Sequence, residues 1–343
     1  MAAAAALQRE DPSGEVLLVG RRGGMEERIV RAAGLPLTTI RVRGVDTSRP
    51  LLTAAALARL PLNVLEARRL LRRFKPDVVV GSAGYVSVPV ALAASTLRIP
   101  LVMLEQNLVP GRATQRLAKR ARAVAASYAE TASYLPAARV VHTGNPVRVA
   151  VLDALPAPLG HRPTRLLVTG GSQGARHINQ AVLAAAPLLI ERNPELRITH
   201  ACGERDAAVV LAEHAALPAA IRERYAIAAF FDDIATQIAA ADMVLMRCGG
   251  SSLAEVSVLG RPMLLVPYPH AGAHQAENAR PYVDAGAARL ILDAELEPSR
   301  LAAEVQALLD DHVAWRAMAD RSRASGRPDA AERVLALLHE IAA

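Results

Sequence analysis

At 343 residues the chain has length for two ordinary domains, and 52% apolar with 21% charged residues is the balance of a soluble globular protein rather than a disordered one. The formal charge of +7 rests almost wholly on arginine, since Lys75 and Lys119 are the only lysines. With aromatics at 3% and no basic–aromatic motif, nucleic acid is not expected as a partner, while anionic lipid and phosphorylated ligands stay open.

The start, Met1 to Glu10, has no basic n-region and too short an apolar run for a signal peptide. Glu15-Val16-Leu17-Leu18-Val19-Gly20 predicts a strand ending in a glycine turn, Met25 to Ala33 a helix closed by Gly34, and Leu37 to Val42 a further strand. Leu51 to Phe74 is helical in pattern, with a break expected at Pro61. Val78-Val79-Val80-Gly81 is a continuous apolar run of the kind found in parallel sheets, Pro89 to Leu97 a helix, and Pro100 to Leu104 a strand that ends in Glu105-Gln106-Asn107. The most apolar stretch, Tyr85 to Leu104, is broken by Pro89, Arg98 and Pro100 and falls short of the roughly 20 residues a spanning helix needs. These features indicate a cytoplasmic chain, free or resting on a membrane surface.

The Pro-rich stretch Leu155 to Pro163 reads as a linker, after which the pattern restarts. Arg165 to Thr169 is a strand feeding Gly170-Gly171-Ser172-Gln173-Gly174, and strands are expected at Arg197 to Ala201, Tyr225 to Phe230, Met243 to Met246, Met263 to Pro267 and Ala288 to Leu292. Such alternation predicts two α/β units with parallel sheets, a cleft between them, and ligands at the carboxyl ends of the strands. Cys202 and Cys248 have no metal-ligand spacing and read as free thiols of a reducing compartment; no metal and no cofactor is expected.

The loops after these strands carry the candidate chemistry. Gly170 to Arg176 lets a ligand approach the backbone and opens a helix whose amides favour phosphate, although a glycine turn is as often structural. Arg247-Cys248-Gly249-Gly250-Ser251-Ser252-Leu253-Ala254-Glu255 opens a second helix with small and hydroxyl residues; Glu255 is either a helix-stabilising carboxylate or an acceptor for a ribose diol. Pro267 to Ala279, with His274 and Gln275, is dense in donors and acceptors suited to a sugar. In the first half, Gly81-Ser82-Ala83-Gly84-Tyr85-Val86-Ser87 and Glu105-Gln106-Asn107 follow strands, and Gly144-Asn145-Pro146-Val147-Arg148 marks a hinge in which Arg148 meets a phosphate or a carbonyl, or else forms a surface ion pair.

In this order the loops resemble the MurG family of bacterial transferases, which make lipid II from lipid I, and the resemblance runs essentially the whole chain. It implies a GT-B fold: two Rossmann-like domains with parallel sheets facing a cleft, spanning 1–147 and 148–326, with a C-terminal helix over 327–343 packing back towards the first. It implies UDP-GlcNAc as donor and lipid I, an undecaprenyl-linked acceptor, as partners. Gly171, Ser172 and Gln173 would lie at the donor, Gly249, Gly250, Ser251 and Ser252 near its diphosphate, Leu253 as a further substrate-binding residue, Glu255 at the ribose, Phe231 beside the uracil, and His274 and Gln275 at the sugar hydroxyls. Asn107 and Arg148 would complete the donor site from the cleft, and Tyr85 and Glu105 would face the acceptor as the catalytic-side candidates. The family begins with a strand and a glycine-rich loop ending in His, its candidate base. Ala2 to Glu10 matches the helix that follows that loop, so a misassigned start is expected, with a core strand unmatched and little or no transfer by the chain as written.

The family also docks on the anionic inner leaflet as a peripheral protein. Leu62, Leu65, Leu70, Leu71 and Phe74, with Arg68, Arg69, Arg72 and Arg73, are the candidates for that contact, or else form an ordinary amphipathic helix on its own sheet. Two other functions are compatible with the sequence: a UDP-GlcNAc-binding form without catalysis, and a UDP-GlcNAc 2-epimerase, which leaves Gly84 to Ser87 and Asn145 to Arg148 unexplained.

Overall fold

The computed structural model describes residues 1–42, 50–82, 84–154, 156–171, 174–269 and 274–343. The chain divides into two compact units, Met1–Pro146 with Asp329–Ala343, and Val147–Pro328.

In the first unit β1 (Leu18–Arg21) pairs in parallel with β2 (Leu37–Ile40), and β3 (Val79–Ser82), β4 (Leu101–Glu105), β5 (Ala123–Ala126) and β6 (Val140–His142) form a second parallel sheet in that order. No ladder among the described residues joins the two sheets: β1 pairs with β2 and β3 with β4. One apolar cluster nonetheless serves both. Ile40 and Val19 meet Val79 and Met103 through Ala67 and Leu71 of the helix Pro50–Phe74 and Ala91 and Ala94 of the helix Ser87–Leu97. The helix Pro50–Phe74 runs through Pro61 without the expected break. The carbonyl that loses its donor there belongs to Leu57, a residue 55% exposed, so the missing bond is open to solvent rather than buried.

The helix Ala330–Ala342 belongs to this unit. Its Val334 and Leu337 pack on Val102, Ala123 and Ala125, while Ala331 and Leu335 hold Ala6 of the helix Ala2–Glu10. β5 and β6 have no counterpart in the sequence pattern. Alanine favours helix by propensity, yet Ala123–Ala126 is wholly buried between β4 and β6, and the tertiary context prevails.

The second unit holds β7 (Arg165–Thr169), β8 (Arg197–Ala201), β9 (Tyr225–Ala228), β10 (Met243–Met246), β11 (Met263–Leu265) and β12 (Ala288–Leu290), all parallel, in the order β12-β11-β10-β7-β8-β9. The order reverses between β7 and β10, so the crevice at their carboxyl ends is the topological switch point where such sheets take ligands. β10 and β11 are buried at every position, as continuous apolar runs in a doubly covered sheet must be.

A buried polar chain ties β8 to the helix Arg176–Arg192. Asn179 donates its Nδ2 to the Cys202 carbonyl at 2.9 Å, which leaves its Oδ1 as acceptor for His200 Nε2 at 2.9 Å; Nδ1 of His200 then accepts from the Tyr225 hydroxyl at 2.8 Å. Burial, with the charge of His214 second, pushes His200 down to about 3. The unfolded chain binds this proton near pH 6.5 while the folded chain refuses it until about pH 3, so stability present above that window is lost as the pH falls through it. The loss is expected to reach about 3 kcal/mol by roughly pH 4. Melting curves from pH 7 to 4 check this: His200→Phe is expected to be less stable at pH 7 but flatter with pH, and parallel slopes would contradict the assignment.

Candidate functional site

Four strand ends of the second unit converge on the switch point. After β7 the chain turns through glycines that no other residue can replace without movement. A Cβ at Gly170 would lie 2.4 Å from Ala175 N, and one at Gly174, whose φ is +76°, would lie 2.3 Å from the Cys202 carbonyl. The loop is thus pressed onto its own helix and the end of β8, with Gly171 exposed at its tip and its N–H bonded to Thr169 Oγ1 at 3.2 Å. Ser172 and Gln173 lie outside the described residues.

After β10, Gly249 leads into the helix Gly250–Val258 with extended backbone and no side-chain cap. The first intrahelical bond is Leu253 N to Gly249 O at 3.0 Å, so the amides of Gly250, Ser251 and Ser252 have no helical partner. Leu253 is fully buried and fixes this first turn, while Ser251 is exposed and Ser252 half-buried beside the open amides. Open amides at a positive helix end form an anion site, and the hydroxyls of Ser251 and Ser252 add donors.

The helix His274–Asp284 holds this turn in place. Gln275 Oε1 accepts from Cys248 N at 3.1 Å and from Tyr268 N at 3.0 Å, and Asn278 Nδ2 donates to the Cys248 carbonyl at 3.2 Å. Two N–H donors on one oxygen fix the orientation of the Gln275 amide and leave its Nε2 turned away from both. His274 is half-buried, and its Nδ1 is buried without a partner among the described residues. The neighbouring His270 lies outside the described residues. Burial pushes the Cys248 thiol up to about 12, which makes it an inert packing group rather than a nucleophile.

A second brace was not apparent from sequence. Arg247 Nη1 donates to the carbonyls of Val266 at 3.2 Å and Pro267 at 3.1 Å and to the Asp293 carboxylate, and its guanidinium stands 5.6 Å from the Tyr268 ring centroid. Asp293 also meets His177 Nδ1 at 3.1 Å, which ties the glycine-loop helix to the ends of β10, β11 and β12. Burial raises the Asp293 carboxyl, but the bonds from His177 and Arg247 outweigh it and hold the group below its usual range.

Glu255 and Arg148 form a bidentate pair, Nε to Oε1 at 2.7 Å and Nη2 to Oε2 at 2.8 Å. The Glu255 side chain is 11% exposed, and each of its oxygens keeps a second lone pair for a further donor. The ion pair that is one sequence reading of Arg148 is formed with Glu255. Phe231 is half-buried in the turn after β9, the edge strand, two strands away from β7.

The remaining candidates belong to the first unit. Glu105, 1% exposed at the end of β4, takes Asn107 N at 3.0 Å and Asn107 Nδ2 at 3.1 Å on Oε1, and Gly111 N at 3.1 Å on Oε2. Both oxygens are engaged by its own loop, so in this arrangement Glu105 shapes Asn107 and the 107–111 turn. It also lines a cavity of about 80 Å³ with Gln106, Ser127 and Asn145. Tyr85, 55% exposed, stands in the turn after β3. Ala83 lies outside the described residues.

Two units of parallel Rossmann-like sheet, the second with an uncapped helix N-terminus at its switch point, are the architecture of the GT-B class of glycosyltransferases. The family models agree: the N-terminal domain of glycosyltransferase family 28 matches residues 1–126 and its C-terminal domain residues 165–334. The chain belongs to glycosyltransferase family 28 and, within it, to the MurG transferases. It is 39% identical, over 98% of its own length and 94% of the relative's, to the UDP-N-acetylglucosamine–N-acetylmuramyl-(pentapeptide) pyrophosphoryl-undecaprenol N-acetylglucosamine transferase of Moorella thermoacetica. The crystal structure of Acinetobacter baumannii MurG superposes with a TM-score of 0.74 at 28% identity, covering 99% of this chain and 94% of that one. A UDP-GlcNAc 2-epimerase from Neisseria meningitidis, bound to UDP-GlcNAc, superposes at 0.69 with 15% identity over 99% and 95% of the two chains; that likeness is one of fold alone.

Proposed function

We propose that the chain moves GlcNAc from UDP-GlcNAc to the C4 hydroxyl of MurNAc in lipid I, forming lipid II, with inversion at the sugar carbon. The observation that carries the reading is the open N-terminus of Gly250–Val258 at the switch point, flanked by Glu255 and braced by Gln275. As the acceptor oxygen bonds to the anomeric carbon, the bond to UDP breaks and its electron pair passes to the diphosphate. The amides of Gly250, Ser251 and Ser252 meet that growing charge without reorganising. Glu255, with lone pairs to spare beside Arg148, takes the ribose hydroxyls. The Nε2 of Gln275 and the Nδ1 of His274, neither with a partner among the described residues, serve the sugar hydroxyls, Gly171, Ser172 and Gln173 border the donor, and Phe231 flanks the uracil.

On the acceptor side, Tyr85 contacts the incoming sugar, and Glu105 acts through Asn107 and the turn it organises. The proton of the attacking hydroxyl goes to a general base within hydrogen-bond reach. No described helix is long and apolar enough to cross a membrane. Contact with the inner leaflet falls to Leu62, 61% exposed, and Leu65, 50% exposed, joined by Leu57 and the exposed Arg69, Arg72 and Arg73. Leu71, a candidate for that patch in sequence, is buried in the core and takes no part.

Titration calorimetry with UDP-GlcNAc tests the donor site. One equivalent is expected to bind and to be displaced by UDP, and no binding up to about 1 mM, the upper end of ordinary substrate affinities, would overturn it.

A further inference from the structure

The transfer chemistry leaves one buried charge cluster of the second unit without a task. Arg247 follows β10, Asp293 follows β12, and His177 is the second residue of the helix Arg176–Arg192, which follows the glycine loop. The side chains of Arg247 and Asp293 are only 11% and 16% exposed. A guanidinium at that depth is tolerated only where acceptors surround it. Asp293 is its one carboxylate partner among the described residues, and the Nη1 that meets Asp293 also donates to the carbonyls of Val266 at 3.2 Å and Pro267 at 3.1 Å.

Those carbonyls lie just past β11 and precede Tyr268, whose N–H is held by Gln275 Oε1 at 3.0 Å. Residues 266–268 are therefore clamped between Arg247 and Gln275. The same Gln275 oxygen holds the N–H of Cys248, the residue between Arg247 and the Gly249 that opens the amide turn. His177 adds the third loop. Its Nδ1 meets Asp293 Oδ2 at 3.1 Å, while Oδ1 serves Arg247, and its helix starts one residue after the Gly174-Ala175 step that is pressed onto the end of β8. One carboxylate thus joins the turn before the diphosphate amides, the loop after β11 and the helix of the glycine loop. Without it Arg247 is a buried cation with no compensating charge. It regains water only by turning outward, which releases the carbonyls of Val266 and Pro267.

We propose that Asp293 is a positioning residue for the nucleotide of the donor: acting through Arg247 and His177, it holds in register the three loops that border the donor. The inference rests on the donor site proposed above.

The test is titration calorimetry with UDP, which lacks the sugar, so that Gln275 acts on binding only through the two N–H groups it holds. The full chain is compared with Asp293→Ala, Asp293→Asn, His177→Ala, Gln275→Leu, Asp293→Ala/Gln275→Leu and a control, Trp315→Phe. Trp315 Nε1 donates to the Asp242 carbonyl at 2.9 Å, at the amino end of β10 and away from the loops, so the control loses stability alone. Melting curves set a titration temperature at which each variant is folded. Asp293→Ala is expected to bind UDP about tenfold or more weakly, and Asp293→Asn, whose amide oxygen still accepts from Arg247, within about threefold of the parent. His177→Ala, at a side chain 42% exposed, removes one arm of the brace and is expected to cost about threefold. The double variant is expected to bind within about twofold of its weaker single parent, because both changes release residues 266–268, although its melting temperature falls further. Trp315→Phe is expected to melt lower with UDP affinity within about twofold of the parent. UDP binding within about twofold of the parent in Asp293→Ala, or in His177→Ala should Asp293→Ala not fold, would overturn the proposal, as would affinity losses that follow melting temperature through Trp315→Phe. Absence of UDP binding by the parent is a different failure: it removes the donor site, and this role with it.

Discussion

Gln275→Leu is expected to lower kcat/KM for transfer by about 100-fold, the scale of misplacing a reacting group by roughly an ångström. The reason is geometric. One side-chain oxygen holds the N–H of Cys248 and the N–H of Tyr268, so it joins the end of β10 to the loop after β11. Cys248 is fully buried, and its orphaned N–H costs about 1–3 kcal/mol of stability, whereas Tyr268 is exposed and water replaces its bond. Gln275→Glu separates bracing from sugar recognition. A carboxylate still accepts both N–H groups but offers no donor and brings a negative charge towards the diphosphate. Its melting temperature is expected to stay near that of the parent while donor affinity falls. If Gln275→Glu kept full donor affinity, the amide would have no role beyond the brace.

Glu255→Ala is expected to weaken UDP-GlcNAc binding by about 10- to 100-fold, the scale of one or two hydrogen bonds to a charged acceptor. It also strips Arg148 of the partner that holds its guanidinium above the usual range, mainly by hydrogen bonding, with burial opposing and charge attraction adding. Because the Arg148 side chain is 51% exposed, the stability cost of breaking the pair is expected to be modest, about 1 kcal/mol. Calorimetry with UDP-GlcNAc and with UDP lacking the sugar checks the placement. Loss of affinity for both places Glu255 at the nucleotide, whereas a loss confined to UDP-GlcNAc would move it to the sugar.

Much of the second unit was legible in its sequence because its signals are local. β7, β10 and β11 are continuous apolar runs, and the glycines after β7 and β10 announce turns whose necessity the close approaches at Gly170 and Gly174 explain. The Arg247–Asp293–His177 brace was not legible, since its members are separated by 46 and 116 residues and no spacing rule links them. β5 was hidden for a different reason: an alanine-rich strand carries no strand propensity, and only burial on both faces selects it. Pro61 misled in the other direction, because a helix tolerates proline where the freed carbonyl faces water. The loops that hold the candidate residues were legible by type and order, but the hydrogen bonds among their side chains were not. Glu105 reads in sequence as an acceptor-side candidate, and only the structure gives the hydrogen bonds by which Asn107 and Gly111 engage both its oxygens.

The most direct test of the account is release of UDP from UDP-GlcNAc by the chain, with and without a polyprenyl-diphosphate-linked MurNAc acceptor in detergent or vesicles. The account predicts that UDP release, fast or slow, occurs only with the acceptor present, one UDP for each GlcNAc gained by the lipid. Tight donor binding with no UDP released under either condition would contradict transfer and leave a nucleotide-sugar-binding protein, while acceptor-independent UDP release with formation of the 2-epimeric sugar would identify an epimerase on the same fold.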